Sequence, residues 1–257
     1  MENYLLSQSN SLLLVISISL IFSLLGIFYS KQFKGLSNYL TANRNIESFS
    51  LTLSLVASAL GAWILFGPAS AATWGGMGAV IGYALGTAFP MIAFIFLGNK
   101  IRKDFKKGST LIEFVRKKFG KSLFKLVLLM SIFYMFIFLC AELTAVAFLI
   151  NYISGTELWI TSLIIIISTL VYTLYGGLRA SIFTDNIQMI VIFILLIVSF
   201  NYILNFNADQ FSLAFIKEKS PHLVSANYVP SYTAGLTFFI AVAATNLFHQ
   251  GNWQRVF

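Results

Sequence analysis

A chain of 257 residues that is 58% hydrophobic, only 10% charged and has a mean hydropathy of +0.83 carries too little polar surface for a water-soluble globule; it reads as an all-α polytopic membrane protein. The formal net charge of +8 is gathered in the stretches between apolar runs, which gives no support to nucleic-acid binding and points to membrane orientation. One cysteine, Cys140, lies inside an apolar run, so neither a disulfide framework nor a cysteine metal site is available and redox chemistry has no support.

Residues 12–28 form a first apolar span. No small-residue cleavage site follows it, so it reads as retained rather than as a signal peptide. Residues 48–74, SFSLTLSLVASALGAWILFGPASAATW, form a second span that is longer than the roughly 20 residues needed to cross about 30 Å of hydrocarbon. Gly61, Gly67 and Pro68 interrupt its middle. A break at that depth frees backbone carbonyls that lipid cannot satisfy, so it is either a kink used for packing or a place where a polar ligand, such as a small cation, meets the backbone.

A third span over 79–97 is rich in glycine (Gly82, Gly86), the signature of close packing against a neighbouring helix. Residues 99–121 are polar and basic, with Leu111, Ile112, Phe114 and Val115 spaced as in a short amphipathic helix lying on a membrane face; a solvated orienting loop is the plainer alternative. Further spans are expected at 123–150, 158–175, 183–204 and from 232 to the end, separated by NYISGTE, GGLRAS and a longer loop over 205–231. Residues 1–257 thus read as a single transmembrane domain of seven crossings.

Of the 17 Lys and Arg, three follow the first span, ten lie between Lys100 and Lys125, and Arg179 and Arg255 fall on the same face; only Lys217 and Lys219 fall opposite. Basic residues collect on the cytoplasmic side, which puts the amino terminus outside and the end of the seventh crossing inside.

Polar groups inside spans are costly and are therefore candidates for function. Glu142, in LCAELTAVA, sits near the middle of the fourth span, where it serves either helix packing or the handling of a solute or proton. Asp185 opens the predicted sixth span, where helix capping competes with a cation path. His249, Gln250, Asn252, Trp253, Gln254 and Arg255 surround Gly251 at the end of the last span; they read as a second interrupted helix or gate, or as an interfacial anchor. Hydrolase triads, HExxH, P-loop and GxGxxG motifs are absent, and enzyme activity has no support.

The runs ASALGAWILFGPASAATWGG, YGGLRASIFTDNIQ and HQGNWQRVF together resemble the sodium:solute symporter family, from about Ser37 onward. The resemblance implies a leucine-transporter-like fold of two inverted five-helix repeats preceded by one extra span with its amino terminus outside. It implies that the backbone carbonyls of Ala57 and Leu60 bind sodium and that Asp185 lies on the sodium path toward the cytoplasm. Ala59 stands where the proline-transporting branch has an acidic residue, and His249–Gln250 where the sugar-transporting branch has Asn-Gln, so neither solute is indicated. The chain then corresponds to the extra span, the first repeat and the start of the second, as expected of a fragment or truncated protein.

On this reading the protein is a sodium-coupled symporter of a small organic solute, multi-pass in the cell inner (plasma) membrane. Its partners are the sodium ion, the solute and the lipid bilayer, and it needs no cofactor beyond the coupling ion. A transporter-like sensor module of a histidine kinase is the alternative. An inert or regulatory half-transporter is a third possibility.

Overall fold

In the computed structural model, which describes residues 4–105, 108, 110–206 and 213–256, the chain is helical almost throughout. Lys106, Lys107 and Ser109 of the basic stretch, residues 207–212 of the expected loop and Phe257 lie outside the described residues. The α-helices in order are α1 (Gln8–Ser30), α2 (Leu36–Thr41), α3 (Ser48–Ala59), α4 (Gly67–Asp104), α5 (Leu111–Ser154), α6 (Leu158–Phe206), α7 (Leu213–Lys219), α8 (Val229–Phe248) and α9 (Gln250–Val256). Among the described residues, five segments are long and apolar enough to cross a membrane: α1, residues 62–104, α5, residues 158–205 and α8.

Three helices contain a glycine with positive φ that turns the chain. Gly76 (φ 57°) divides α4, Gly120 (φ 86°) divides α5 and Gly177 (φ 58°) divides α6. A side chain at Gly76 would be strained by its backbone and would also meet the Leu223 carbonyl at 2.3 Å; at Gly177 it would meet the Tyr39 carbonyl at 2.4 Å. Split at Gly76 and Gly177, and with the interrupted segment 48–75 counted as one, the described helices occupy the seven stretches read as spans in the sequence.

Helix directions agree with alternation. Leu51 with Gly98, Val56 with Met91, and Pro68 with Val80 line shared cavities, so α4 after Gly76 runs back antiparallel to the interrupted segment. Glycines at four-residue spacing on α4 then set α8 alongside: a Cβ on Gly78, Gly82 or Gly86 would meet the carbonyls of Ser231, Gly235 and Phe239 at 2.1, 2.1 and 2.9 Å. The constant offset makes the two helices parallel, as the third and seventh of alternating crossings must be. Ser231 Oγ, which accepts the Gly78 N–H at 2.9 Å, pins the register.

The first and fifth crossings pair in the same parallel sense. Ser23 and Ser168 share a hydroxyl bond of 2.7 Å, Ser168 Oγ donates to the Ser19 carbonyl at 2.8 Å, and Gly26 lies against Tyr172. Small residues let these backbones approach where no hydrophobic drive separates helix from lipid. Outward-facing side chains such as Ile194, Ile197 and Phe200 on α6 are exposed and apolar, as suits a surface covered by acyl chains.

The basic stretch corrects one expectation. Thr110 Oγ1 caps α5 by accepting the Glu113 N–H at 3.1 Å, and the amphipathic turn that follows is directed onto the protein. Leu111 and Val115 are buried in one cluster with Phe94, Phe105 and Trp253 instead of lying on a membrane face.

Gly82→Ala should force α4 and α8 apart and lower stability by about 2 kcal/mol, and Gly82→Val by about 3 kcal/mol, because the added carbon meets backbone that cannot rotate away. Thermal unfolding of the detergent-solubilised protein measures this; midpoints unchanged in both variants would refute the backbone contact.

Candidate functional site

The first interruption falls where the sequence has Leu60 and Gly61. α3 ends at Ala59, Leu60 leaves helical geometry (φ −99°, ψ 50°), Gly61 is extended, and a single 3-10 turn over Ala62–Leu65 leads into α4. The Leu60 N–H folds back on the Val56 and Ala57 carbonyls, each at 3.1 Å, and the Ile64 N–H on the Gly61 carbonyl at 3.2 Å. Among the described residues no backbone N–H reaches the carbonyls of Ser58, Ala59 or Leu60. These three oxygens form the free carboxyl end of α3 and carry the negative end of its dipole.

Glu142 closes the other side of the break. It projects from α5 onto the start of the 3-10 turn, where its Oε2 accepts the Trp63 N–H at 3.3 Å. A Cβ at Gly61 would stand 2.3 Å from Glu142 Oε1, so the glycine is what lets the carboxylate approach. Glu142 therefore joins two elements, as the packing reading holds, while also facing a cavity.

A second interruption exists where HQGNWQR suggested one. His249 is extended (φ −68°, ψ 111°) between α8 and α9, and its Nδ1 accepts the Asn252 N–H at 3.3 Å. His249, Asn252, Trp253 and Arg255 are all buried, so the interfacial-anchor reading falls. The Trp253 indole donates to the Leu247 carbonyl at 2.6 Å across the break, and Asn252 Nδ2 donates to the Asn246 carbonyl at 3.2 Å. Gln250 Oε1 is buried with no hydrogen-bond partner among the described residues.

The two interruptions meet at one cavity of about 370 Å³. Ser58, Ala59 and Gly61 face it from the first, His249 and Asn252 from the second, and Glu142 from α5. Trp63, Tyr83, Tyr134 and Phe138 give it aromatic walls, with the His249 ring edge-on to Phe138 at 5.2 Å. These aromatics were not singled out from the sequence, although the spacing of Tyr134, Phe138 and Glu142 puts them on one stripe of α5. Gln250, Ala57 and Leu60 are not among the residues that line this cavity, and Leu60 lines a neighbouring one.

Asp185 stands elsewhere, and its position corrects the capping reading. The crossing begins just after Gly177, so Asp185 lies two turns inside it rather than in its first turn. Its Oδ2 accepts from Arg255 Nη2 and from Ser54 Oγ, each at 2.5 Å, while Arg255 Nε donates to Ser54 Oγ at 2.7 Å. Ser54 is fully buried, and its small hydroxyl in a run of apolar residues gave no signal in the sequence. Asn186 next to it donates to Ser50 Oγ at 2.5 Å, so α3, α6 and α9 are fastened together at this level.

A membrane domain of antiparallel crossings in which two helices, running in opposite directions, are both interrupted beside one polar-lipped cavity is the architecture of a solute-handling membrane protein. The chain belongs to the sodium:solute symporter family, whose family model matches residues 39–247. It is 27% identical over 251 residues to a spermidine transporter of Candida albicans, covering 98% of this chain and 47% of that protein. It is 30% identical over 176 residues to a sodium/glucose cotransporter of Vibrio parahaemolyticus (64% of this chain, 31% of that protein), and 25% identical over 170 residues to a urea active transporter of Saccharomyces cerevisiae (66% and 23%). The chain spans about half the length of the first of these relatives and less than a third of the other two.

Because Asp185 and Arg255 are largely shielded from solvent, removing one leaves the other charge uncompensated. Asp185→Ala should cost about 3 kcal/mol, whereas the double variant Asp185→Leu with Arg255→Met should recover most of it. Thermal unfolding of the three proteins decides; an Asp185→Ala protein as stable as the parent would show that the ion pair holds nothing.

Proposed function

We propose that the protein is a secondary active transporter that couples sodium entry to the uptake of a small organic solute across the cell inner membrane. The observation that carries this reading is the meeting of two interrupted helices at the cavity beside Glu142, because interrupted helices supply the unpaired backbone dipoles that ions and polar solutes need inside a bilayer. Family membership supports sodium as the coupling ion. The three relatives named above are called after spermidine, glucose and urea, which differ in charge and shape, so their names alone do not choose a solute.

Sodium is assigned here to the carbonyls of Ala57 and Leu60. Hard cations prefer oxygen ligands, and the Leu60 carbonyl is free while the Ala57 carbonyl, which accepts one N–H, keeps a second lone pair. Asp185 would then take up the ion on its way to the cytoplasm once Arg255 withdraws. Glu142, His249 and Asn252 are the solute-facing candidates. Gln250 is assigned to the gate, since its unpartnered oxygen awaits a donor that another conformation can bring.

In proteoliposomes, Ala57→Leu should raise the sodium concentration for half-maximal uptake about tenfold, equivalent to roughly 1.4 kcal/mol of ion binding, while Leu60→Met stays near the parent value. Uptake driven by a proton gradient, indifferent to sodium and abolished by Glu142→Gln, would replace sodium with the proton.

The excess of basic residues between Lys100 and Lys125 supports an external amino terminus. Lys118 is exposed, so Lys118→Cys in a Cys140→Ser background should resist impermeant thiol reagents in intact cells and react once the membrane is opened. Ready labelling from outside would invert the topology.

A further inference from the structure

The cavity has a lopsided charge. Among the described residues that line it Glu142 is the one carboxylate, and no Lys or Arg is among them. The nearest buried cation on the adjoining helix, Arg255, is already engaged by Asp185 and Ser54 and turns away from the cavity. His249 adds no counter-charge at Nδ1, which presents a lone pair to the Asn252 N–H.

Glu142 meets only part of its need within the protein. The backbone N–H groups of Trp63, in a long bond of 3.3 Å, and of Ala62 point at it, whereas a carboxylate accepts at about four positions and has no cation beside it among the described residues here. Ser58 and Ala59 line the cavity with it, and among the described residues no backbone N–H reaches their carbonyls. Every one of these groups is an acceptor, and the carboxyl end of α3 reinforces their negative potential. Trp63, Tyr83, Tyr134 and Phe138 give the cavity aromatic walls; the faces of such rings attract a cation and their carbon surface covers an alkyl stem.

Resting on the reading of this cavity as the solute site, we propose that it binds the ammonium group of a small primary amine, with Glu142 as its counter-ion. A primary ammonium brings three N–H donors to a cluster made of acceptors, and its positive charge replaces the one the cavity lacks. A quaternary ammonium brings the charge without donors, leaving the carbonyls unsatisfied. A neutral alcohol brings one donor and no charge, so it leaves the carboxylate without a counter-charge. The volume of about 370 Å³ is at the small end of ligand cavities and suits a compact amine.

The test uses the protein as its gene encodes it, purified in detergent with sodium present, and reads the thermal midpoint against n-butylammonium, tetramethylammonium and 1-butanol. Butylammonium should raise the midpoint in a saturable way by about 3 °C or more, and the other two should leave it unchanged. Glu142→Gln, which keeps an oxygen for the Trp63 N–H, should weaken the butylammonium response about tenfold or more, and Glu142→Asp should retain a larger part of it. An equal response to 1-butanol or tetramethylammonium, or an undiminished response of Glu142→Gln, overturns the proposal. The comparison of the three probes on the unaltered protein decides even where the variants fail to fold. Sodium-driven uptake of a neutral solute by a protein that ignores butylammonium would sink this inference and leave the transport reading standing. Butylammonium binding through Glu142 in a protein that moves nothing would do the reverse.

Discussion

An α-helix can stop inside a bilayer only if something other than water takes over its unpaired backbone groups, and that constraint governs this molecule at Leu60 and Gly61. On one side of the break the Glu142 carboxylate receives the Trp63 N–H; on the other, the carbonyls of Ser58, Ala59 and Leu60 remain open. The asymmetry has a chemical consequence. The donors exposed by the break have a partner within the protein, while among the described residues the acceptors have no backbone donor, so these oxygens are open to an N–H donor or a metal ion. Gly61 makes this possible by having no side chain where the carboxylate sits.

The second break at His249 acts on the same cavity only because α8 is held in register, and the glycines of α4 do that. Three carbonyls of α8 rest against bare backbone at Gly78, Gly82 and Gly86, which fixes rotation and height together. Leucine at those positions would make a fatter interface with more apolar area, but area has little value where the alternative neighbour is lipid. Close backbone contact and the Gly78–Ser231 hydrogen bond supply specificity instead.

Much of this was legible in residue order, and what was not has a physical reason. Apolar length marked the crossings, and the Gly and Pro content of 48–74 and the polar run after Phe248 marked both interruptions, because each is a local departure from a strong background. The boundary at Gly177 was set six residues late, since GGLRAS looks like a loop but is a one-residue turn in which Arg179 is buried, donating to the Ala42 carbonyl at 2.9 Å and stacking over Phe33. That error moved Asp185 into a first turn it does not occupy. Ser54 and the aromatic walls stayed hidden because serine, tyrosine and tryptophan are ordinary in membrane spans, and only the pairing of helices distant in sequence gives them roles. Leu111 and Val115 followed an amphipathic pattern that suits lipid and protein equally, and the choice was made by Trp253 from the far end of the chain.

The Asp185–Arg255–Ser54 cluster shows how a stabilising contact and a mobile one can be the same. Desolvating an ion pair sets much of its attraction against the cost of stripping water, so the pair contributes less to stability than its geometry suggests, and it can be exchanged for another partner at modest net expense. A sodium ion presented to Asp185 offers the same charge as the Arg255 guanidinium, and Ser54 Oγ, already shared between the two, can turn its lone pairs to either. Arg255 joins α9 to both α3 and α6 here, so releasing it breaks both of those side-chain links together. On the proposed sodium path, an ion that competes for Asp185 would loosen the hold on α9, which follows directly on the cavity-lining turn at His249.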